Sequence, residues 1–254
     1  MKIVADCDIP YLAGVFEPYA SVCYLKGASI APADVEEADA LIVRTRTHCN
    51  EALLGDSKVR FIASATIGSD HIDLEFCRRR GIGVATSIGC NARGVLQWMA
   101  ASLALFEERF GLSPARTTLG VVGVGHVGRL VREYALSWGF RVLCSDPPRE
   151  RAEGLDAGEG FLPLTELVPQ VDILTLHTPL TRSGDDATFH LVDRDLLASL
   201  KPGAVLVDAA RGEIVEPEAL AEAVVSGRCR AAIDTWNDEP SIDRRVLARA
   251  AVAT

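Results

Sequence analysis

A glycine-rich turn between an apolar strand and a helix is the clearest chemical signal in this sequence. Gly123, Gly125 and Gly128 follow the apolar run that ends at Val122, in the spacing G-x-G-x-x-G, and apolar residues at helical spacing come next. In such a turn the first glycine permits a tight bend, the second lets backbone amides approach a pyrophosphate, and the third lets the helix pack closely on the strand. The amino terminus of the helix then faces the phosphate charge. The pattern predicts a dinucleotide-binding site.

Asp146 strengthens this prediction because it lies eighteen residues after Gly128, at the end of the next apolar run. A carboxylate in that place can accept hydrogen bonds from both hydroxyls of a ribose. Its charge would repel a 2′-phosphate, which favours NAD over NADP unless the nearby Arg149 compensates. The alternative interpretation is structural, with the glycines forming only a tight turn and Asp146 capping a loop.

Arg211 is the candidate for binding a substrate carboxylate. It follows the apolar run 204–208, so we expect it at the carboxyl end of a strand, where open α/β sheets bind their ligands. A planar guanidinium can hold a carboxylate through two parallel hydrogen bonds. A surface ion pair with a neighbouring acid such as Glu213 is the alternative interpretation.

Cationic and hydroxyl side chains also gather near the amino terminus, at the ends of two apolar runs. These side chains are Arg44, Thr45, Arg46 and His48 after the first run and Thr66 after the second. Charge alone makes Arg46 and His48 candidates for binding a phosphate. A solvated surface is an equally open interpretation of the same two residues.

The elements that must position these residues alternate along the whole chain, which is typical of parallel sheets with helices on both faces. The predicted strands are 2–6, 40–44, 60–65, 83–86, 118–122, 141–145, 172–177, 204–208 and 231–234. A long helix is predicted over 91–110, ending at Gly111, and the most polar connection is predicted over 149–160. We therefore expect an α/β protein of two doubly wound domains, over 1–92 and 93–254, joined by the helix at 91–110.

The composition excludes several classes of protein. With 48% hydrophobic and 24% charged residues the chain is neither disordered nor collagen-like, and its net charge of −9 disfavours nucleic-acid and membrane partners. The longest uncharged stretch, 94–106, is too short to cross about 30 Å of hydrocarbon, and the amino terminus lacks the apolar region of a secretory signal. Seven scattered cysteines without a C-x-x-C pair predict reduced thiols and no metal site. A cytoplasmic protein is expected.

Nine short segments distributed along the chain resemble the motifs of a known protein family. They are Val43-Arg44-Thr45, Ala65-Thr66, Gly68-Ser69-Asp70-His71-Ile72-Asp73, Gly89-Cys90-Asn91-Ala92, Asp146-Pro147-Pro148, His177-Thr178-Pro179-Leu180, Ala210-Arg211-Gly212, Asp234-Thr235-Trp236 and Glu239-Pro240. Over essentially the whole chain, the set resembles the D-2-hydroxyacid dehydrogenases. Gly89-Cys90-Asn91 and Asp146-Pro147-Pro148 resemble the branch of that family that oxidises 4-phospho-D-erythronate. The resemblance implies a flavodoxin-like substrate domain, a Rossmann NAD-binding domain, NAD as cofactor, a small phosphorylated 2-hydroxy acid as substrate, and a homodimer.

The resemblance also implies roles for individual residues. Arg211 and Glu239 are the implied catalytic residues, and Glu239 would hold and polarise a histidine base as the carboxylate of a triad does. The substrate contacts implied by the resemblance are Thr45 and Thr66, and positive charge adds Arg44 and Arg46 as further candidates for binding the substrate. The cofactor contacts are Gly123, Gly125, His126, Val127, Gly128, Asp146, Thr178, Ala209, Ala210, Arg211 and Asp234.

The histidine base of the family lies in a Thr-Pro-His segment after a short apolar strand. This chain ends at Thr254, so it is expected to be truncated before that histidine, and none of its five histidines matches the position. Because loss of a positioned proton acceptor lowers a rate about 10²- to 10⁴-fold, weak or no turnover is expected of the 254-residue chain alone. Three alternatives stay open: a dehydrogenase of the phosphoglycerate or glycerate type, a catalytically silent NAD-binding protein, and a purely structural interaction module.

Overall fold

The computed structural model of the protein describes residues 1–153 and 160–254. The strands are β1 (Lys2–Asp6), β2 (Ser21–Leu25), β3 (Ala40–Val43), β4 (Phe61–Ser64), β5 (Gly83–Thr86), β6 (Thr118–Val122), β7 (Arg141–Ser145), β8 (Ile173–Leu176), β9 (Val205–Asp208), β10 (Arg230–Ile233) and β11 (Val252–Ala253). The α-helices are α1 (Pro32–Val35), α2 (Glu51–Leu54), α3 (Leu74–Arg80), α4 (Ala92–Phe110), α5 (His126–Trp138), α6 (Pro147–Glu153), α7 (Leu164–Leu167), α8 (Arg194–Ser199), α9 (Pro217–Val225) and α10 (Arg244–Leu247). Short 3-10 helices lie at Gly27–Ser29, Pro114–Arg116, Val168–Gln170 and Gly212–Ile214.

The chain separates into two compact units, Met1–Cys90 and Asn91–Thr254. In the first unit the strands are all parallel, in the order β2-β1-β3-β4-β5. Adjacent residues of β1 face opposite sides of the sheet, so Val4 packs in one apolar cluster and Ile3 in another. This is the flavodoxin-like order that was expected, with its topological switch point at β1 and β3.

The second unit contains a parallel sheet in the order β11-β10-β9-β8-β6-β7. Ile173 and Val205 pack in the same core as residues of α4 and α5, whereas Leu174 and Leu206 pack in a second core with residues of α8 and α9. Because helices cover both faces, every residue of β6, β8 and β9 is buried. The predicted Rossmann-type doubly wound sheet is confirmed.

The long helix predicted over 91–110 is α4, which begins at Ala92 and buries Met99, Leu103 and Phe106. It ends at Gly111, whose φ of +68° is a left-handed conformation that favours glycine. Of the helices in the described ranges, none combines the length and the apolar character needed to cross a membrane.

The sequence prediction missed one edge strand in each sheet. β2 alternates between exposed and half-buried residues, so it lacks the long apolar run by which the central strands were recognised. β11 has only two residues, which is too short for a periodic pattern. The polar connection predicted over 149–160 is also wrong in part, because α6 continues to Glu153, while residues 154–159 lie outside the described residues.

Candidate active site

The carboxyl ends of the strands in the second sheet form one continuous row. The residues paired across that row are Ser145, Val122, Leu176, Asp208, Ile233 and Ala253. Each cofactor residue implied by the sequence follows one of these strands by a few residues, so the fold brings all of them to the same edge. This edge is where open α/β sheets bind ligands.

The glycine turn lies at the switch point of this sheet, where β6 has β7 on one side and β8 on the other. Gly123 has a φ of +83°. A Cβ on Gly128 would lie 1.9 Å from the carbonyl oxygen of Gly123, so only glycine allows α5 to approach the turn this closely. Gly125 precedes α5, and among the described residues no side chain caps it and no atom beyond its local backbone lies within 4 Å of a built Cβ. The turn therefore leaves room, and uncapped helix N–H groups, for an anionic group.

The two residues that open α5 were also expected to contact the cofactor. His126, its first residue, is exposed, and Val127 is half-buried against the core that α4 and α5 share. Both therefore lie in the first turn of the helix, next to Gly125.

Thr178 lies beside the glycine turn with a buried hydroxyl. A Cβ on Gly123 would meet Thr178 Cγ2 at 2.8 Å, which places the threonine against the turn. Within the described residues, Thr178 Oγ1 and Ser145 Oγ are buried and make no hydrogen bond. Buried hydroxyls normally have a partner. These two lie at or just beyond the ends of the strands that flank β6, so they fit a polar ligand bound at the turn.

Asp146 follows β7, and its carboxylate holds the glycine turn. Oδ2 accepts a hydrogen bond from the N–H of Val124 at 2.7 Å, and Oδ1 accepts one from the N–H of Arg149 at 3.1 Å. A carboxylate offers about four acceptor positions, so it retains capacity for ribose hydroxyls. Capping of a loop and recognition of a ribose are therefore compatible at this residue.

The sequence suggested that Arg149 could offset the repulsion between Asp146 and the 2′-phosphate of NADP. In the structure its guanidinium binds other groups. Its Nη1 donates to the carbonyl oxygen of Val124 at 2.8 Å, and Nε and Nη2 donate to Glu153 at 2.6 and 2.8 Å. This bidentate pair directs the guanidinium to Glu153. The arrangement favours NAD.

Arg211 and the residues before it form the turn that follows β9. Asp208 is 1% exposed, and its Oδ1 accepts a hydrogen bond from the N–H of Ala210 at 2.9 Å. Arg211 is half-buried, and its Nη1 donates to the carbonyl oxygen of Ala210 at 2.7 Å. Glu213, the acid considered as its alternative partner, accepts hydrogen bonds from Arg182 at 2.7 and 2.8 Å. Ala209, which was expected to contact the cofactor, is half-buried at the start of the same turn.

Asp208 was not among the residues predicted for the site. Burial raises the pKa of its carboxyl to about 7, although hydrogen bonds from Ala210, Thr235 and Arg211 act to lower it. The signal that could have found it is a single acid at the end of the apolar run Val205-Leu206-Val207, three residues before Arg211.

The loop after β10 carries Asp234 and Glu239. Asp234 Oδ1 accepts a hydrogen bond from the hydroxyl of Thr254, which joins the ends of β10 and β11. Glu239 is exposed, and its Oε1 accepts the N–H of Trp236 at 2.9 Å, while the Trp236 indole donates to the carbonyl oxygen of Thr254 at 3.1 Å. The loop therefore presents an exposed carboxylate at the edge of the sheet that also carries Arg211.

The substrate candidates of the first unit follow β3 and β4. Val43 pairs with Ser64, so Thr45 and Thr66 each lie two residues beyond the same row of the sheet. Thr45 is exposed, whereas Thr66 is half-buried and its Oγ1 lies 2.8 Å from Ser64 Oγ. Both are at the carboxyl edge, which is the edge expected to bind a ligand.

The cationic candidates divide into two groups. Arg44 donates to the carbonyl oxygen of Asp8 at 3.1 Å. Arg46 and His48 are exposed on either side of the buried Thr47 and line one open groove of about 340 Å³. The residues lining that groove do not include Thr45 or Thr66. The structure thus places Arg46 and His48 along the same groove of the first unit.

Comparison with known proteins identifies the family of this chain. Residues 95–253 match the family described as D-isomer specific 2-hydroxyacid dehydrogenase, NAD binding domain. The whole chain is 42% identical to the erythronate-4-phosphate dehydrogenase of Bacteroides fragilis strain ATCC 25285, of which it covers 73%, and 42% identical to that of Pseudomonas fluorescens strain Pf0-1, of which it covers 66%.

A solved structure extends the likeness to the fold of both units. The crystal structure of the TT0316 protein from Thermus thermophilus superposes with a TM-score of 0.83 at 28% identity, covering 100% of this chain and 88% of that one. A family match over more than half of the chain, with relatives alike over its full length, settles its classification. The chain belongs to the D-isomer specific 2-hydroxyacid dehydrogenase family.

Proposed function

We propose that this protein is an NAD-dependent dehydrogenase that oxidises 4-phospho-D-erythronate to 3-hydroxy-2-oxo-4-phosphooxybutanoate, a step in the biosynthesis of pyridoxal 5′-phosphate. The observation that carries the proposal is the 42% identity, over the full chain, to a relative named erythronate-4-phosphate dehydrogenase. The reaction removes a hydride from C2 and a proton from its hydroxyl. When bound, NAD accepts the hydride.

The edge of the second sheet would hold the cofactor. In this proposal the N–H groups of the turn 123–128 and the first turn of α5, including His126 and Val127, bind the pyrophosphate. Asp146 accepts hydrogen bonds from the ribose hydroxyls, and Asp234 binds the nicotinamide amide. The remaining contacts come from Thr178, whose buried hydroxyl supports this role, and from Ala209, Ala210 and Arg211.

Arg211 and Glu239 would act on the substrate side. Arg211 binds the carboxylate of the hydroxy acid, which fixes C2 and its hydroxyl in one orientation. Glu239 would orient the histidine base of the family, whose position none of the five histidines in this sequence matches, and a carboxylate in that position raises the basicity of an imidazole. The exposure of Glu239 at the carboxyl edge supports this assignment.

The first unit would bind the rest of the substrate. Thr45 and Thr66 supply hydroxyl contacts from the ends of β3 and β4, and Arg44 adds positive charge. Arg46 and His48 share a groove, which supports their assignment to the substrate phosphate. We also propose that the protein is cytoplasmic. We further propose that, like full-length members of the family, the protein from its own source forms a homodimer, which size-exclusion chromatography with light scattering would test.

The test of this function compares substrates that differ only in the features named above. NADH formation by the protein from its own source is measured with 4-phospho-D-erythronate, D-erythronate, 3-phospho-D-glycerate and D-glycerate. We expect kcat/KM to be highest for 4-phospho-D-erythronate and to fall at least about tenfold without the phosphate, because a lost charge-assisted hydrogen bond is worth about 1.5–3 kcal/mol. Equal activity on the unphosphorylated acids would contradict the proposed substrate.

Two variants test whether Arg46 binds the phosphate of the substrate. Arg46→Ala should raise KM only for the phosphorylated acids, whereas Arg79→Ala, which removes an exposed arginine paired with Glu75, should leave every KM unchanged. A preference for 3-phospho-D-glycerate would place the protein in the phosphoglycerate class. NADH binding without turnover of any of the acids would favour the catalytically silent alternative.

A further inference from the structure

Asp208 connects the turn that carries Arg211 to the loop that carries Glu239. Its Oδ1 accepts the N–H of Ala210 at 2.9 Å and the hydroxyl of Thr235 at 3.3 Å. The N–H of Arg211 also interacts with this carboxyl. One buried group is therefore bound to the residue before Arg211, to Arg211 itself, and to the strand end that leads to Glu239.

The backbone packing between the two segments is equally close. A Cβ on Gly212 would lie 2.3 Å from Asn237 N and 2.3 Å from the carbonyl carbon of Trp236, so the residue after Arg211 rests directly on the second loop. Trp236 in turn donates its N–H to Glu239 at 2.9 Å. A displacement of the Asp208 carboxyl would thus be transmitted to both candidate catalytic residues.

Burying this carboxyl costs free energy, and an apolar side chain that only filled the core would not have that cost. A carboxyl at 1% exposure loses its hydration, which is why burial raises its pKa. An apolar residue would fill the same core without that cost, but it would offer no acceptor to the N–H groups of the turn.

We propose that Asp208 is a positioning residue, which holds the turn 209–212 in the conformation that directs Arg211 to the carboxylate of the substrate. The proposal rests on the function proposed above for Arg211. Asp208 does not touch the substrate in this account; it acts through the backbone of the turn, with Thr235 as the second anchor.

The test is a double-mutant cycle read out by ligand affinity. The probe is oxalate, whose two carboxylates resemble the carboxylate and oxo group of a 2-oxo acid, titrated into the NADH complex of the protein. We expect Arg211→Ala to raise the oxalate Kd about 100-fold and Asp208→Ala to raise it about 10-fold. In the Arg211→Ala background, Asp208→Ala should add less than about threefold, because a residue that acts through Arg211 has no effect without it.

Two further variants separate positioning from general stability. Asp208→Asn keeps an oxygen that accepts the same N–H groups, so it should restore the oxalate Kd to within about threefold of the original. Asp172→Ala is the matched control, since its carboxylate accepts Thr118 N–H and Lys201 Nζ at 2.8 Å each, before β8 at the opposite end of the strand. It should lower the melting temperature and leave the oxalate Kd unchanged.

The outcomes distinguish this inference from the function on which it rests. If the NADH complex of the unsubstituted protein does not bind oxalate, or if Arg211→Ala leaves the oxalate Kd unchanged, the proposed role of Arg211 fails and the inference fails with it. If Arg211→Ala weakens binding but Asp208→Ala does not, or if the two effects multiply, only the inference is overturned. Should Asp208→Ala not fold, Thr235→Val enters the same cycle, with a rise of about threefold expected in the presence of Arg211 and none in its absence.

Discussion

At the scale of single residues, Asp146 illustrates how one carboxylate can serve the fold and a ligand together. Both of its oxygens accept backbone N–H groups, one from the glycine turn and one from α6. The same group carries the negative charge that would disfavour a 2′-phosphate. Its two tasks can be separated experimentally, because a fold effect appears in stability and a ligand effect in the preference between two cofactors.

Asp146→Ala is expected to weaken NADH binding about 10- to 100-fold, since hydrogen bonds to a charged group contribute about 1.5–3 kcal/mol. NADPH binding should change less, so the ratio of the NADPH Kd to the NADH Kd should decrease. Fluorescence titration of both cofactors measures these constants. Asp193→Ala is the control, because that carboxylate also accepts a backbone N–H, from Leu196 at 2.9 Å, but caps α8. It should cost about 1 kcal/mol of stability and leave NADH binding unchanged. Unaltered NADH affinity in Asp146→Ala would support a structural role alone.

At the scale of elements, the glycine turn separates into positions that serve packing and positions that face open space. A Cβ on Gly128 would meet the backbone of Gly123, whereas one on Gly125 would meet no atom of the described residues within 4 Å beyond its local backbone. Gly128→Ala should therefore destabilise the protein by about 3 kcal/mol or more. Gly125→Ala should leave the melting temperature nearly unchanged and weaken NADH binding at least about tenfold, because the added methyl lies where the pyrophosphate approaches. Calorimetry and fluorescence titration check both, and normal NADH binding by Gly125→Ala would contradict the site.

Helix α4 contains Gly94 and is followed by Gly111, and neither glycine belongs to the proposed ligand site. Within the part of the chain that the structure describes, neither Gly94 nor Gly111 has an atom beyond its local backbone within 4 Å of a built Cβ, so the two differ in backbone conformation and not in available space. Gly94 lies in the first turn of α4, and Gly94→Ala should stabilise the protein by about 0.5–1 kcal/mol. Gly111 has a φ of +68°, so Gly111→Ala should destabilise it by about 1 kcal/mol. Urea denaturation measures both, and effects of the same sign would contradict this explanation.

The elements also explain how far the sequence could predict the fold and the site. The central strands, α4 and the glycine turn were predictable because each has a local pattern, namely an apolar run, a helical period or a fixed glycine spacing. β2 and β11 were missed because edge strands are short or half-exposed. Asp208 was missed for a different reason: its burial and its bond to Thr235 depend on residues far apart in the chain.

At the scale of the whole molecule, the second unit buries an aspartate and a histidine whose pKa values are displaced in opposite directions. Burial raises the pKa of Asp208 from 3.8 to about 7 and lowers that of His177 from 6.5 to about 4. Nε2 of the His177 ring lies within hydrogen-bond distance of Thr175 Oγ1, at 3.0 Å, and within the described residues its buried Nδ1 makes no hydrogen bond. Each group makes the free energy of unfolding depend on pH.

The signs of the two effects are opposite. Between pH 3.8 and 7 the folded state keeps the Asp208 proton that the unfolded state has lost, so stability falls as pH rises. Between pH 4 and 6.5 the unfolded state binds a proton on His177 that the folded state excludes, so stability rises with pH. In the unsubstituted protein these two contributions therefore offset each other between pH 4 and 6.5, and of the two only that of Asp208 continues from pH 6.5 to 7.

Removing one group at a time should expose the other. The unfolding free energy of Asp208→Asn minus that of the unsubstituted protein should increase between pH 3.8 and 7. The slope should reach up to about 1.4 kcal/mol per pH unit, which corresponds to one proton. His177→Gln retains a polar partner for Thr175. Its unfolding free energy minus that of the unsubstituted protein should decrease between pH 4 and 6.5 with a slope of similar size. Urea denaturation from about pH 4.5 to about pH 7.5, in steps of about one unit, measures both differences. A pH-independent difference for Asp208→Asn would show that this carboxyl is charged in the folded protein throughout the range, and would remove the energetic argument that its burial is retained to position Arg211.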